Sequence, residues 1–331
     1  MSHVFHRAIT FACILAMCVV VLGAYTRLSN AGLGCPDWPG CYGFLTVPNE
    51  LHEITAAKIE FPSSNLEPRK AWIEMIHRYF AGGLALVVLF IFVVIVRSNQ
   101  RHAPKLLAAS LLLMICFQAL LGMWTVTLNL QPFVVMGHLL GGFTILSLLT
   151  LIYLRTERKD IGYENTAPTC LKAGIACLCV LIFQIALGGW LAANYAAPHC
   201  TGLPLCSNGE LFSWSSLLKI PEPASTYEYG VLPFETRLSI HLVHRIWAAV
   251  TVLAIVMFAF LVHVKIQQLM IRRAANLVMA LVLIQVAIGA IIVHFKFPIL
   301  LTLFHNLMAA LLLLALVRVC YFLGRAKKVL L

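Results

Sequence analysis

The chain has 331 residues, 61% of them hydrophobic and only 11% charged, with a formal net charge of +11. That apolar fraction excludes a soluble globular protein of this size and fits a polytopic membrane protein. The Lys and Arg excess is scattered over short breaks between apolar runs with no nucleic-acid motif beside it, so the charge excludes rather than suggests a nucleic-acid partner.

A helix needs about 20 apolar residues to cross a bilayer. Eight stretches qualify, at about 8–27, 73–96, 105–128, 132–154, 170–194, 238–263, 273–294 and 299–321. The first follows His6 and Arg7, continues to Tyr25 and lacks a small-residue cleavage site. It reads as a retained helix rather than a signal peptide. Two breaks are long, 28–72 and 195–237, each after the first helix of a half. Fifteen Lys and Arg lie at one set of helix ends and nine at the other. The bias predicts cytoplasmic termini and long loops outside. The expected fold is an all-α integral membrane protein whose eight transmembrane helices form two pseudo-symmetric four-helix bundles, residues 1–160 and 161–331.

Within that layout His77 and His138 recur as His244 and His305 (244 − 77 = 305 − 138 = 167). Gln118 with Gly122 recurs as Gln285 with Gly289 at the same offset. Each of the four histidines lies about four to seven residues inside the outer end of its stretch, roughly 6–10 Å deep at the helical rise. Ionisable or metal-binding groups in membrane segments are costly and are functional candidates. Helix bundles build cofactor sites from facing helices. Two facing imidazoles without a third ligand suit the axial positions of a haem, whose porphyrin supplies the other four nitrogens. Gly82, Gly83, Gly141 and Gly142 offer small surfaces on which a flat macrocycle could lie. The competing explanation is histidines hydrogen-bonded between helices as packing glue, which suits one isolated histidine better than a duplicated pair.

Cys35 and Cys41 lie in the first long loop, and Cys200 and Cys206 in the second (200 − 35 = 206 − 41 = 165). Outside the membrane such pairs form disulfides, Cys35–Cys41 and Cys200–Cys206, either as structural staples or as a redox-active pair. Zinc is disfavoured, because neither loop carries a second cysteine pair. The cysteines at 13, 18, 116, 177, 179 and 320 read as small hydrophobes. Glu74 stands three residues before His77, on the same helix face, where the other half has His241. An acid beside one site assigns chemistry to that half and electron carriage to the other, unless Glu74 only pairs with Arg78. His241 reads as an interfacial hydrogen-bonding residue. Arg78 and Arg245 read either as partners of haem propionates or as side chains snorkelling to the interface. His3, His6, His52, His102, His199, His263 and His294 read as solvated or interfacial, and Trp72, Trp124, Trp190 and Trp247 as an interface belt.

From about Gly23 to about Leu314 the chain resembles haem A synthase. The resemblance is carried by Glu74-Met-Ile-His-Arg78, His138, His244-Arg245, His305 and the loop Gly32-Leu-Gly-Cys-Pro-Asp-Trp-Pro-Gly-Cys41, in the style of bacterial members with a cysteine pair in each long outer loop. It implies an oxidoreductase of the bacterial cytoplasmic (inner) membrane. The reaction would oxidise the C8 methyl of haem O to a formyl group, giving haem A for terminal cytochrome oxidases. It implies substrate haem on His77 and His138, a resident haem b on His244 and His305, Glu74 as the essential acid, and Cys200–Cys206 as a stabilising disulfide. Expected partners are haem O, with its farnesyl tail in lipid, membrane lipid itself, the upstream haem O synthase and an unidentified electron acceptor, with a homo-oligomer left open. The alternatives are a di-haem b, quinone-linked electron-transfer cytochrome and a repeat-built transporter. Both histidine pairs sit near one membrane face, which argues against a conduit across the bilayer, and no paired helix break supports a transporter.

Overall fold

The computed structural model describes residues 3–100, 102–157, 161–207, 212, 214–217 and 219–326. Arg101, Arg158, Lys159, Lys327 and Lys328, which enter the charge count above, lie outside the described residues. The described chain is helical: α1 (His3–Leu28), α2 (Leu51–Glu60), α3 (Pro68–Arg97), α4 (Lys105–Thr127), α5 (Pro132–Glu157), α6 (Ala167–Ala193), α7 (Trp214–Leu217), α8 (Phe234–Lys265), α9 (Leu269–His294) and α10 (Ile299–Ala326). All except α2 and α7 are long and apolar enough to cross a membrane. The chain is an all-α multi-pass membrane protein.

Helix starts and stops follow local chemistry. Pro68, Pro132 and Pro168 sit in first turns, where a missing N–H costs nothing and the fixed φ suits the helix. The α4–α5 turn is made by Asn129 and Leu130 with φ of 50° and 64°, and the α9–α10 turn by Lys296 and Phe297 with 58° and 64°. These pairs are 167 residues apart. Asn30 and Tyr195, both at φ 53°, are 165 apart. Left-handed backbone is costly for residues with a Cβ, so its recurrence at matched positions marks a duplicated unit.

Two helices begin earlier than expected, α3 at Pro68 rather than 73 and α8 at Phe234 rather than 238. Their extra turns carry the long loops. His77 and His244 therefore stand 9 and 10 residues into their helices (77 − 68; 244 − 234), while His138 and His305 stand 6 in (138 − 132; 305 − 299). α1, α3, α4 and α5 pack as one group and α6, α8, α9 and α10 as another, joined where α5 meets α6 and α10 and where α1 meets α10. One apolar core runs through both groups, from Leu146 and Leu149 of α5 to Leu312 and Leu316 of α10. At the loop-bearing end the groups are tied by polar contacts. Arg27 donates to the Ala192 carbonyl and lies 3.6 Å over the Tyr195 ring. Asn129 donates to the Ser225 carbonyl at 2.9 Å, and the Tyr227 N–H donates to the Asn129 carbonyl at 3.0 Å.

Candidate functional site

The fold brings His77 of α3 and His138 of α5 face to edge, with ring centroids 6.4 Å apart and planes at 80°. A metal held on two imidazole nitrogens at the usual length of about 2 Å would separate the centroids by roughly 6 Å. His244 of α8 faces His305 of α10 in the same arrangement of helices, each within electrostatic reach of the other. Each ring rests on a glycine of a neighbouring helix. A Cβ on Gly23 would lie 2.9 Å from His77, one on Gly122 3.2 Å from His138, one on Gly188 3.1 Å from His244 and one on Gly289 3.3 Å from His305. Contacts that short are tighter than side chains tolerate, so any larger residue would push the rings aside.

The residues fit a group that brings most of its own ligands. The Nδ1 atoms of His77, His138 and His305 are buried without a hydrogen-bond partner, which is not the behaviour of interhelical packing glue. Among the described residues no group of three or more His, Cys, Asp or Glu is placed to hold a bare metal ion. A pair of axial imidazoles with glycine backing is what a porphyrin needs. The glycines expected to face the macrocycle behave differently. Gly82 and Gly83 face open space, but Gly141 is packed against the Gln118 and Met114 side chains, so its small size admits Gln118 instead.

Each long loop is fastened to the helix that carries the first histidine of its half. Both disulfides, Cys35–Cys41 and Cys200–Cys206, are formed, with Cα–Cα distances of 4.8 Å. The first packs on Ala71 and Met75, the second on Leu238 and Leu242, 167 residues on. Arg78 donates to the carbonyls of Asp37 at 2.9 Å and Gly40 at 2.5 Å. Arg245 donates to those of Cys200 and Gly202, each at 2.7 Å. Both guanidiniums are therefore committed to loop carbonyls rather than free for haem propionates. Glu74 is 4% exposed. It accepts the Cys35 N–H at 3.0 Å and pairs with Arg78 at 2.5 Å. His241, also 4% exposed, is buried rather than interfacial, and its Nδ1 meets the Ala197 carbonyl at 2.8 Å. The two halves thus use an acceptor and a donor at equivalent positions for one task, holding the loop.

The model of the COX15-CtaA family, described as cytochrome oxidase assembly protein, matches residues 6–317. A relative from Shewanella oneidensis named "Heme A synthase" is 45% identical over 322 residues, covering 94% of both chains. Relatives of the same name from Flavobacterium psychrophilum and Shouchella clausii are 26% and 27% identical, covering 91% and 89% of this chain and 92% and 88% of their own. The chain belongs to the COX15-CtaA family.

Membership in the COX15-CtaA family does not itself identify the cradle. Gly122 and Gly289 were visible as a repeat beside a glutamine, but Gly23 and Gly188 were not, because they recur at 165 rather than 167 (188 − 23). α2 also escaped the reading of segment 42–72. It is started by Glu53, which accepts the N–H groups of Asn49 at 2.9 Å and Glu50 at 3.2 Å, and these bonds hold its carboxyl below the ordinary value. Trp72 and Trp124 are exposed as an interface belt requires. Trp247 instead donates to the Val180 carbonyl at 3.1 Å, and Trp190 stacks on Phe133 at 4.7 Å; both join helices.

Proposed function

We propose that this COX15-CtaA member is the oxidoreductase that converts haem O to haem A. The reading is supported by the matched histidine pairs on glycine cradles, together with a 45% identical relative of that name. In this reading residues 1–160 bind the substrate haem through His77 and His138, and residues 161–331 bind a resident haem b through His244 and His305. The bound haem b supplies one-electron chemistry. Turning a methyl into a formyl group with water as oxygen donor releases four protons and four electrons, so an electron acceptor must take part.

The chain's own residues have separate duties. The imidazoles fix the macrocycles, and the apolar helix faces exclude water while leaving lipid open to a farnesyl tail. Glu74, one turn before His77, takes protons released near the substrate or stabilises the charge that develops there. Arg78 and the Cys35 N–H fix the carboxylate's position, and the first disulfide fixes Cys35. The protein sits in the inner membrane with cytoplasmic termini and the long loops outside, where both disulfides persist. Haem O synthase is the source from which substrate arrives.

The test is a pair of single variants. His77→Ala should abolish formyl production and binding of haem O while haem b is retained. His305→Ala should lose haem b. Loss of the same haem in both variants, or of neither, would contradict the two-site assignment.

A further inference from the structure

One helical turn before each cradle glycine stands a fourth set of matched positions: Val19, Gln118, Gln184 and Gln285. Residues four apart share a helix face, so each lies beside the ring that its glycine supports. Gln118 Nε2 donates to the His138 carbonyl at 2.6 Å. Gln184 Nε2 donates to the His244 carbonyl at 3.2 Å and stands 3.3 Å from its Nδ1. The Oε1 atoms of all three glutamines are buried without a partner, as are the Nδ1 atoms of His138 and His305. Unpaired acceptors thus lie beside unpaired donors, and rotation of an amide end exchanges its oxygen and nitrogen. Only His77 faces an apolar side chain at this position: the Val19 carbonyl is near the ring, but its isopropyl group offers no acceptor.

An imidazole ligand normally gives its second N–H to an acceptor, which fixes its orientation and raises its basicity. We infer that Gln118, Gln184 and Gln285 are positioning residues for His138, His244 and His305, and that Val19 leaves His77 as the exchangeable ligand of the four. The inference rests on the proposal that the histidine pairs hold haem. It gives that proposal an asymmetry: the C-terminal pair has an amide on both ligands and retains its haem, while the N-terminal pair has one firm and one weak ligand, as a site that must release product requires.

The experiment uses the full chain in detergent, loaded with haem, and follows haem transfer to excess apomyoglobin. His77→Ala and His305→Ala assign the fast and slow phases. Val19→Gln should slow the fast phase about tenfold, and Gln285→Val should speed the slow phase about tenfold, in the range seen when such outer partners change. The ferric low-spin resonance of the affected haem should shift in parallel, which a general loss of stability would not produce. Both rates within twofold of the parent, in folded protein, would overturn the inference. If Val19→Gln fails to fold, Gln285→Val and Gln184→Val decide alone. If neither histidine variant changes haem content, the two-site proposal fails rather than the role of the amides.

Discussion

Glu74 and Arg78 show how a side chain near a reaction centre can also hold structure. Substituting Glu74 by Gln keeps the shape of the side chain but removes the charge that pairs with Arg78. The expected result is retained haem and a fall in formyl production of about 10²-fold or more, the scale of a lost proton-transfer group. Loss of haem from the N-terminal site in the same variant would assign Glu74 to holding the loop alone. Arg78→Ala removes one partner of a buried pair along with two loop carbonyl contacts, a change expected to cost about 3 kcal/mol. Thermal unfolding in detergent should show a lower midpoint, and Arg78→Lys should recover only part of it, because a lysine lacks the guanidinium fork. Both cysteines of the first loop are fully buried, so a thiol partner must wait for this clasp to open.

At the scale of elements, the cradles carry the sharpest contrast. Gly122→Ala would place a methyl 3.2 Å from the His138 ring and should reduce haem content at the N-terminal site, read by the absorbance ratio of haem to protein. Gly82→Ala, which meets nothing within 4 Å, should leave it unchanged. The second long loop adds a pH dependence. His199 ends a short 3-10 turn over Ala197–His199, and burial, then the Arg237 charge, hold its pKa below the ordinary histidine value. The unfolded loop therefore takes up a proton first. Stability is complete above about 6.5 and declines as the pH falls below it. Amide exchange in 195–207, corrected for its intrinsic rate, should be faster at acid pH.

These elements also show what the sequence makes legible. The eight spans, the four histidines and both cysteine pairs follow from apolar run length and constant spacing, and the fold keeps all of them. The earlier starts of α3 and α8 were hidden because their first turns are polar and belong to the loops. The fates of Arg78, Arg245 and His241 were hidden because a loop's carbonyls have no side-chain signature. Gly23 and Gly188 look like any small residue until the ring they support is in place.

For the molecule as a whole, duplication has been kept in backbone and changed in side chains. The turns at 129–130 and 296–297 match, as do the loop clasps, while Val19 and Glu74 set the N-terminal half apart. Arg27 joins the halves by bonding the carbonyl of Ala192, the residue at its own equivalent position 165 further on, and by covering Tyr195. A desolvated cation–π contact contributes about 2 kcal/mol, so Arg27→Ala should lower the thermal midpoint while both haems are retained. The central claim concerns what this assembly makes. The most direct measurement is extraction and mass analysis of the haems from protein expressed with a source of haem O. Haem A, or its hydroxylated precursor, beside haem B is the predicted result. Haem B alone, at two per chain with no modified porphyrin, would contradict the account and leave a di-haem cytochrome.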